Sequence, residues 1–162
     1  DLFTPSKINK TRVRQKILQS PYKQNVLFED VDQLHFVINA VKITFFQYPY
    51  PIQHSIKFEN IITMPSLLSL AAMKAFALGR RAKWKDYVDL YFILRDFFTV
   101  KEIADEAIKL FGQLFSEKIF RQQLAFHKDI DYTEEVEFLS GYEVNSQEIK
   151  DFLIDIAIKY MI

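Results

Sequence analysis

The sequence predicts an α+β fold, a small mixed or antiparallel sheet followed by a C-terminal helical bundle. Runs rich in Val, Ile, Phe and Tyr, joined by two-residue connections, fill much of the chain before residue 50, and a 3.6-residue apolar spacing takes over after residue 64. Only three Gly and five Pro occur among 162 residues, which favours long elements over many tight turns. With 49% hydrophobic and 15% aromatic residues, the chain can bury the core of one compact unit. The patterns divide that unit into a sheet region, 1–63, and a helical region packed on it, 64–162.

Pro5-Ser6 and the run KINKTRVRQKIL predict a capped helix over 7–18. Ile8, Val13, Ile17 and Leu18 are its apolar residues, and Lys7, Lys10, Arg12, Arg14 and Lys16 form its outer side. Pro21 closes it. NVLFE, QLHFVI and VKITFFQY then read as three strands, separated by Asp30-Val31-Asp32 and by Asn39-Ala40. Such short connections imply an antiparallel meander. In the third strand Val41, Ile43 and Phe45 share one face, and Lys42, Thr44 and Phe46 the other.

After Tyr48-Pro49-Tyr50-Pro51 the pattern is helical throughout. Pro65-Ser66 opens a helix to Leu78, which Gly79 is placed to end, and a second helix covers 83–96. Thr99 caps a third over 100–111, and Ser116 a fourth to Phe126. An acidic, irregular stretch runs from Asp129 to Glu143. Ser146, Gln147 and Glu148 begin a last helix to the C-terminus.

Several function classes are excluded by what is missing. No apolar run reaches the ~18 residues of a membrane helix, and no signal-peptide pattern is visible, so a soluble protein without membrane partners is expected. The lack of cysteine rules out disulfides and thiolate metal sites and is compatible with a reducing cytoplasm, the expected location. His35, His54 and His127 stand apart with no metal-ligand spacing. The G-x-S-x-G elbow, the P-loop and the G-x-G-x-x-G fingerprint are absent. Carboxylate and lysine chemistry remains.

The zero net charge hides an asymmetry. Residues 1–100 carry 14 Lys/Arg and 8 Asp/Glu, whereas residues 101–162 carry 7 and 13. The basic part suits an anionic substrate, although solvated faces of unlike helices would give the same totals. Arg80, Arg81, Lys83 and Lys85 crowd the start of the helix WKDYVDLYFIL, the wrong end for cations given the helix dipole. Phosphate is the natural counterion there. Asp86 and Asp89 lie three apart on one side of that helix, Lys85 and Asp89 four apart. Asp86 also suits the dipole, so stability alone accounts for it. Lys74 stands in a helix of small and apolar neighbours, Ala71, Ala72, Met73, Ala75 and Phe76. It reads either as a lysine snorkelling from the edge of a core or as an amine that phosphate can approach closely.

Together, these residues form a known pattern. LLSLAAMKAFALGRRAKWKDYVDLYFIL resembles the second half of the AbiEii/AbiGii-type nucleotidyltransferase toxins, with an Ala-Ala-Met-Lys helix, then Arg, then Lys-Asp-aromatic-x-Asp-Leu. VKITFFQYPYPI resembles the strand before it, and DLFT the end of the family's Gly-Ser…Asp-x-Asp-Leu-Phe motif. The resemblance implies a sheet of the nucleotidyltransferase type and a polymerase-β-like reaction, in which carboxylate-bound magnesium and lysines hold a nucleoside triphosphate while a hydroxyl attacks its α-phosphorus.

It further implies that Asp1 is the second metal aspartate, that Lys74 grips the triphosphate, that Arg81 and Lys85 add to the phosphate field, and that Asp86 orients a lysine or the incoming hydroxyl. Asp89 would fix helix position. Thr44 stands where a third carboxylate is often found, Ser69 where many relatives carry an acid, and Ala40 where a turn glycine is common. The family's Gly-Ser loop and first metal aspartate would precede Asp1, so the sequence reads as a truncated member. Implied partners are a nucleoside triphosphate, transfer RNA or another RNA, and an antitoxin protein. The two functions left open are a nucleotide-transferring toxin and a non-catalytic module that binds nucleotide or antitoxin.

Overall fold

In the computed structural model, which describes residues 1–159, the chain forms two compact units, Asp1–Pro51 and the chain from Ile52 onward. The boundary lies ahead of the 63/64 division read from the pattern. Its cause is a hairpin that the helical pattern hides.

The first unit is a four-stranded mixed sheet with one helix. Its elements are β1 (Leu2–Thr4), α1 (Lys10–Leu18), β2 (Gln24–Asp30), β3 (Gln33–Ile38) and β4 (Val41–Gln47). The strand order is β1-β4-β3-β2, with β1 parallel to β4 and the rest an antiparallel meander. β3 and β4 place Leu34 beside Phe45 and Phe36 beside Ile43 on one face, while His35 pairs with Thr44 on the other. Leu34 and Phe36 are buried.

α1 begins later than the sequence pattern indicates. The Asn9 side chain accepts the N–H of Arg12 at 2.9 Å, so Asn9 rather than Ser6 is the cap. The outer side is also smaller than predicted. Lys10 and Arg14, one turn apart, turn onto Glu29 of β2, Lys10 at 3.5 Å and Arg14 in direct contact.

Asn39 and Ala40, which join β3 to β4, both have positive φ, 49° and 65°. That is the backbone of a type I′ turn, which matches the twist of a hairpin but disfavours a Cβ at both central positions. Ala40→Gly is expected to raise stability by about 1 kcal/mol. Urea unfolding checks it: an unchanged midpoint would show that alanine fits this turn without strain.

The second unit opens with β5 (Ile56–Phe58) and β6 (Ile62–Met64), an antiparallel pair that forms its own two-stranded sheet. This corrects the reading of a wholly helical pattern after Pro51. Each strand is only three residues long, and the turn uses Glu59 and Asn60 at positive φ in place of glycine, so neither periodicity nor turn chemistry stands out.

Five α-helices follow: α2 (Leu67–Leu78), α3 (Trp84–Asp96), α4 (Val100–Phe111), α5 (Glu117–Ala125) and α6 (Ser146–Ile158). Ser66, Thr99, Ser116 and Asn145 cap α2, α4, α5 and α6 through their side chains. At α4, Glu102 reaches back to complete a capping box. The sequence pattern carries the last helix to the C-terminus, but residues 160–162 lie outside the described part.

α3 is the centre of this unit. Trp84, Tyr87, Val88, Leu90, Tyr91 and Ile93 are all buried, and each aliphatic side chain so removed from water contributes about 1.5–3 kcal/mol. A helix apolar nearly all round has few places for charge. Its N-terminal turn is one.

Candidate functional site

The site in the second unit is built around one buried carboxylate. α2 carries Ala71, Ala72 and Ala75 on its buried side, which lets neighbouring elements approach closely, and Lys74 lies on its half-exposed side. Asp86 sits in the first turn of α3, where unpaired N–H groups and the dipole favour an anion. It is 1% exposed. An unpaired carboxylate at that depth would cost several kcal/mol, and two cations prevent it. Lys74 Nζ donates to Oδ1 at 3.3 Å, and Arg81 Nε donates to Oδ2 at 3.2 Å. Lys74 also contacts Asp89, one turn further along α3.

Residues from two helices and their connection thus converge on Asp86. Lys85 behaves differently. It and Lys83 both pair with Glu134, a residue of the acidic stretch that the sequence reading left without a role. The stretch is pinned over the start of α3 by backbone bonds: Asp131 N–H donates to Ala82 O at 2.7 Å, and Trp84 N–H donates to Asp131 O at 2.9 Å. Tyr132 packs on Trp84, and the Lys150 ammonium lies over both rings.

The cations at the mouth of α3 therefore have partners inside the protein. Arg80 is spent on α2: its guanidinium lies 3.6 Å from the Phe76 ring centroid and donates to the Phe76 carbonyl. Lys83 and Lys85 share the single carboxylate of Glu134. Burial, and next the charge of Lys83, hold the Lys85 ammonium below the usual lysine range. Counting Lys74, Arg80, Arg81, Lys83 and Lys85 against Asp86, Asp89, Asp131 and Glu134, one cation remains in excess. Positive charge in excess beside a helix N-terminus is the electrostatic requirement for holding phosphate.

Asp1 and Thr44 belong to the first unit. Leu2 pairs with Phe45, so the same parallel register carried back one residue sets Asp1 level with Thr44, and Thr44 in turn is level with His35. Asp1 is exposed, and Thr44 is buried. Together they offer one carboxylate and one hydroxyl, whereas magnesium demands near-octahedral oxygen ligands. Among the described residues no group of three or more His, Asp or Glu is arranged to hold a metal ion. These residues by themselves do not fit magnesium. Ser69 is buried and donates to Glu106 at 2.8 Å, so a carboxylate of α4 reaches that position.

Glu134 is the residue that sequence reasoning missed. Its one signal was the concentration of acid in 129–143, complementary to the basic run at 80–85.

A mixed sheet in the first unit, and in the second unit helices that bring a lysine and an arginine onto a buried aspartate, define an α+β protein. A family model described as "Nucleotidyl transferase AbiEii toxin, Type IV TA system" matches residues 7–156, and the chain belongs to this family. It is also similar to an uncharacterised protein of Aquifex aeolicus (strain VF5), with 28% identity over 138 residues that cover 78% of this chain. The match spans 65% of that relative's length. No solved structure matches the chain. Among the described residues no helix is long and apolar enough to cross a membrane.

Proposed function

We propose that this protein is the toxin component of a toxin–antitoxin or phage-defence system, and that it transfers a nucleotide from a nucleoside triphosphate to a hydroxyl of RNA or protein. The observation that carries the proposal is the buried Asp86 with Lys74 on one oxygen and Arg81 on the other. The arrangement sets two cations at a fixed separation. Their remaining N–H donors can hold oxygens of the triphosphate without reorganising when it binds. As the acceptor oxygen bonds to the α-phosphorus and the bond to pyrophosphate breaks, negative charge grows on the leaving group, and Lys74 and Arg81 stabilise it there. The hydroxyl proton passes to solvent. Asp86, with both oxygens taken, orients the cations rather than the hydroxyl. Asp89 holds Lys74 from the exposed side.

Magnesium, implied by the resemblance, would need more ligands than Asp1 and Thr44. That observation favours a second reading, a module that binds nucleotide or an antitoxin without catalysis. One assay separates the two. The protein is incubated with each α-labelled triphosphate, magnesium and total RNA, and both retention of triphosphate and label on RNA are measured. Label on RNA is the result expected of the transferring toxin, and retention of triphosphate without labelled RNA would favour the second reading. Labelled RNA would show that metal ligands lie elsewhere than Asp1 and Thr44. Failure to retain any triphosphate would remove the transferase reading and the nucleotide-binding module, and leave a module that binds an antitoxin.

A further inference from the structure

Between Asp1 and Glu29 the chain carries six Lys or Arg and no Asp or Glu. The fold sorts these cations into two sets. Lys10 and Arg14 face β2 and are neutralised by Glu29. Arg12 and Lys16, one turn apart on the opposite side of α1, are exposed, as are Lys7 before the helix and Lys23 after it. None of these four has a carboxylate partner among the described residues. α1 has no acidic residue in its first turn, so the charge of Arg12 there is unfavourable for the helix unless an anion lies against it, whereas Lys16 in the last turn suits the dipole.

We infer that the outer face of α1, with Lys7, Arg12, Lys16 and Lys23, docks the phosphodiester backbone of an RNA, which would name the acceptor in the proposed reaction and rests on that reading. The partner follows from the chemistry of the face. Residues four apart on a helix set their side chains about 6 Å apart, similar to the step between phosphates along a strand. Thr11, Gln15 and Gln19 supply further donors and are exposed between the cations. Tyr22, in the turn after α1 and beside Lys23, is 57% exposed, and exposed aromatic rings next to cations are platforms on which unpaired bases stack. A protein partner would be expected to meet an apolar centre depleted of lysine. An anionic membrane would require a broad apolar stripe, yet α1 has nine residues and a polar outer face.

The test is fluorescence anisotropy with labelled transfer RNA across a salt series, using the wild type, Arg12→Gln/Lys16→Gln, and Arg12→Lys/Lys16→Arg, with phosphatidylserine vesicles as a second probe. The glutamine pair should bind RNA about fivefold more weakly, with a salt slope shallower by about 2, because two phosphate contacts are lost. The charge-conserving pair should retain both. Unchanged affinity and slope in a glutamine pair with a wild-type unfolding midpoint would overturn the inference, as would vesicle binding without RNA binding. Triphosphate binding is measured on the same proteins. It should be unaffected by the glutamine pair, so that loss of the phosphate reading and loss of the RNA face appear in different measurements.

Discussion

Lys74→Met is expected to destabilise the second unit by about 2 kcal/mol and to weaken triphosphate binding by about 30-fold. Both effects follow from where its charge sits. Asp86 is 1% exposed and would be left with Arg81 alone, a residue whose side chain is 51% exposed and which meets only one carboxylate oxygen. Methionine preserves the stem's packing, so the loss reports the ammonium. Asp86→Asn should be milder for stability, because it removes the buried charge itself and leaves the cations able to reach water. Unfolding and triphosphate titration of the two variants decide between roles. A purely structural ion pair predicts that Lys74→Met loses stability while binding is unchanged. That outcome would remove Lys74 from the phosphate site.

Glu134→Gln is expected to tighten triphosphate binding by about tenfold. Glu134 occupies both Lys83 and Lys85 with its two oxygens, so an incoming phosphate must compete with a carboxylate tethered to the same unit. The change should lower stability by less than about 1 kcal/mol, as for exposed ion pairs, since the Glu134 side chain is itself 37% exposed. The gain depends on pH. Lys85 already loses its proton below the usual lysine range, through burial and the charge of Lys83, and phosphate prefers the protonated amine. The affinity gain should therefore be full near neutral pH and fall as pH rises through the folded pKa of Lys85, before free lysine would titrate. Isothermal titration at neutral and alkaline pH checks this. Equal affinity in wild type and Glu134→Gln at neutral pH would mean that Glu134 does not compete with the ligand.

Much of the fold was legible because it is specified by near neighbours. Thr99 with Glu102 writes a capping box within four residues, and α4 begins where that pair indicates. QLHFVI, Asn39-Ala40 and VKITFFQY carry a period of two around a two-residue turn, and β3 and β4 pair in that register. The hairpin β5–β6 was not legible. Strands of three residues hold too few positions for a period, and Glu59-Asn60 is weak turn chemistry. The helix boundary at Asn9 escaped for a related reason, since Ser6 and Asn9 are both competent caps and the choice depends on the path of the preceding chain.

By itself the sequence determined the α+β order, the helices with the Thr99 and Ser116 caps, the antiparallel meander, and a resemblance to the family whose model matches residues 7–156. Only the tertiary structure decided what each charge faces. Burial of Asp86 comes from packing in the second unit, and its cations come from α2 and the α2–α3 connection. Lys85 found Glu134, 49 residues away, and Glu29 claimed Lys10 and Arg14 but left Arg12 and Lys16 to solvent. Caps and strand alternation are set by bonds among residues a few positions apart, whereas an ion's partner is whichever opposite charge the folded backbone brings within a few ångström, at a depth where water no longer competes.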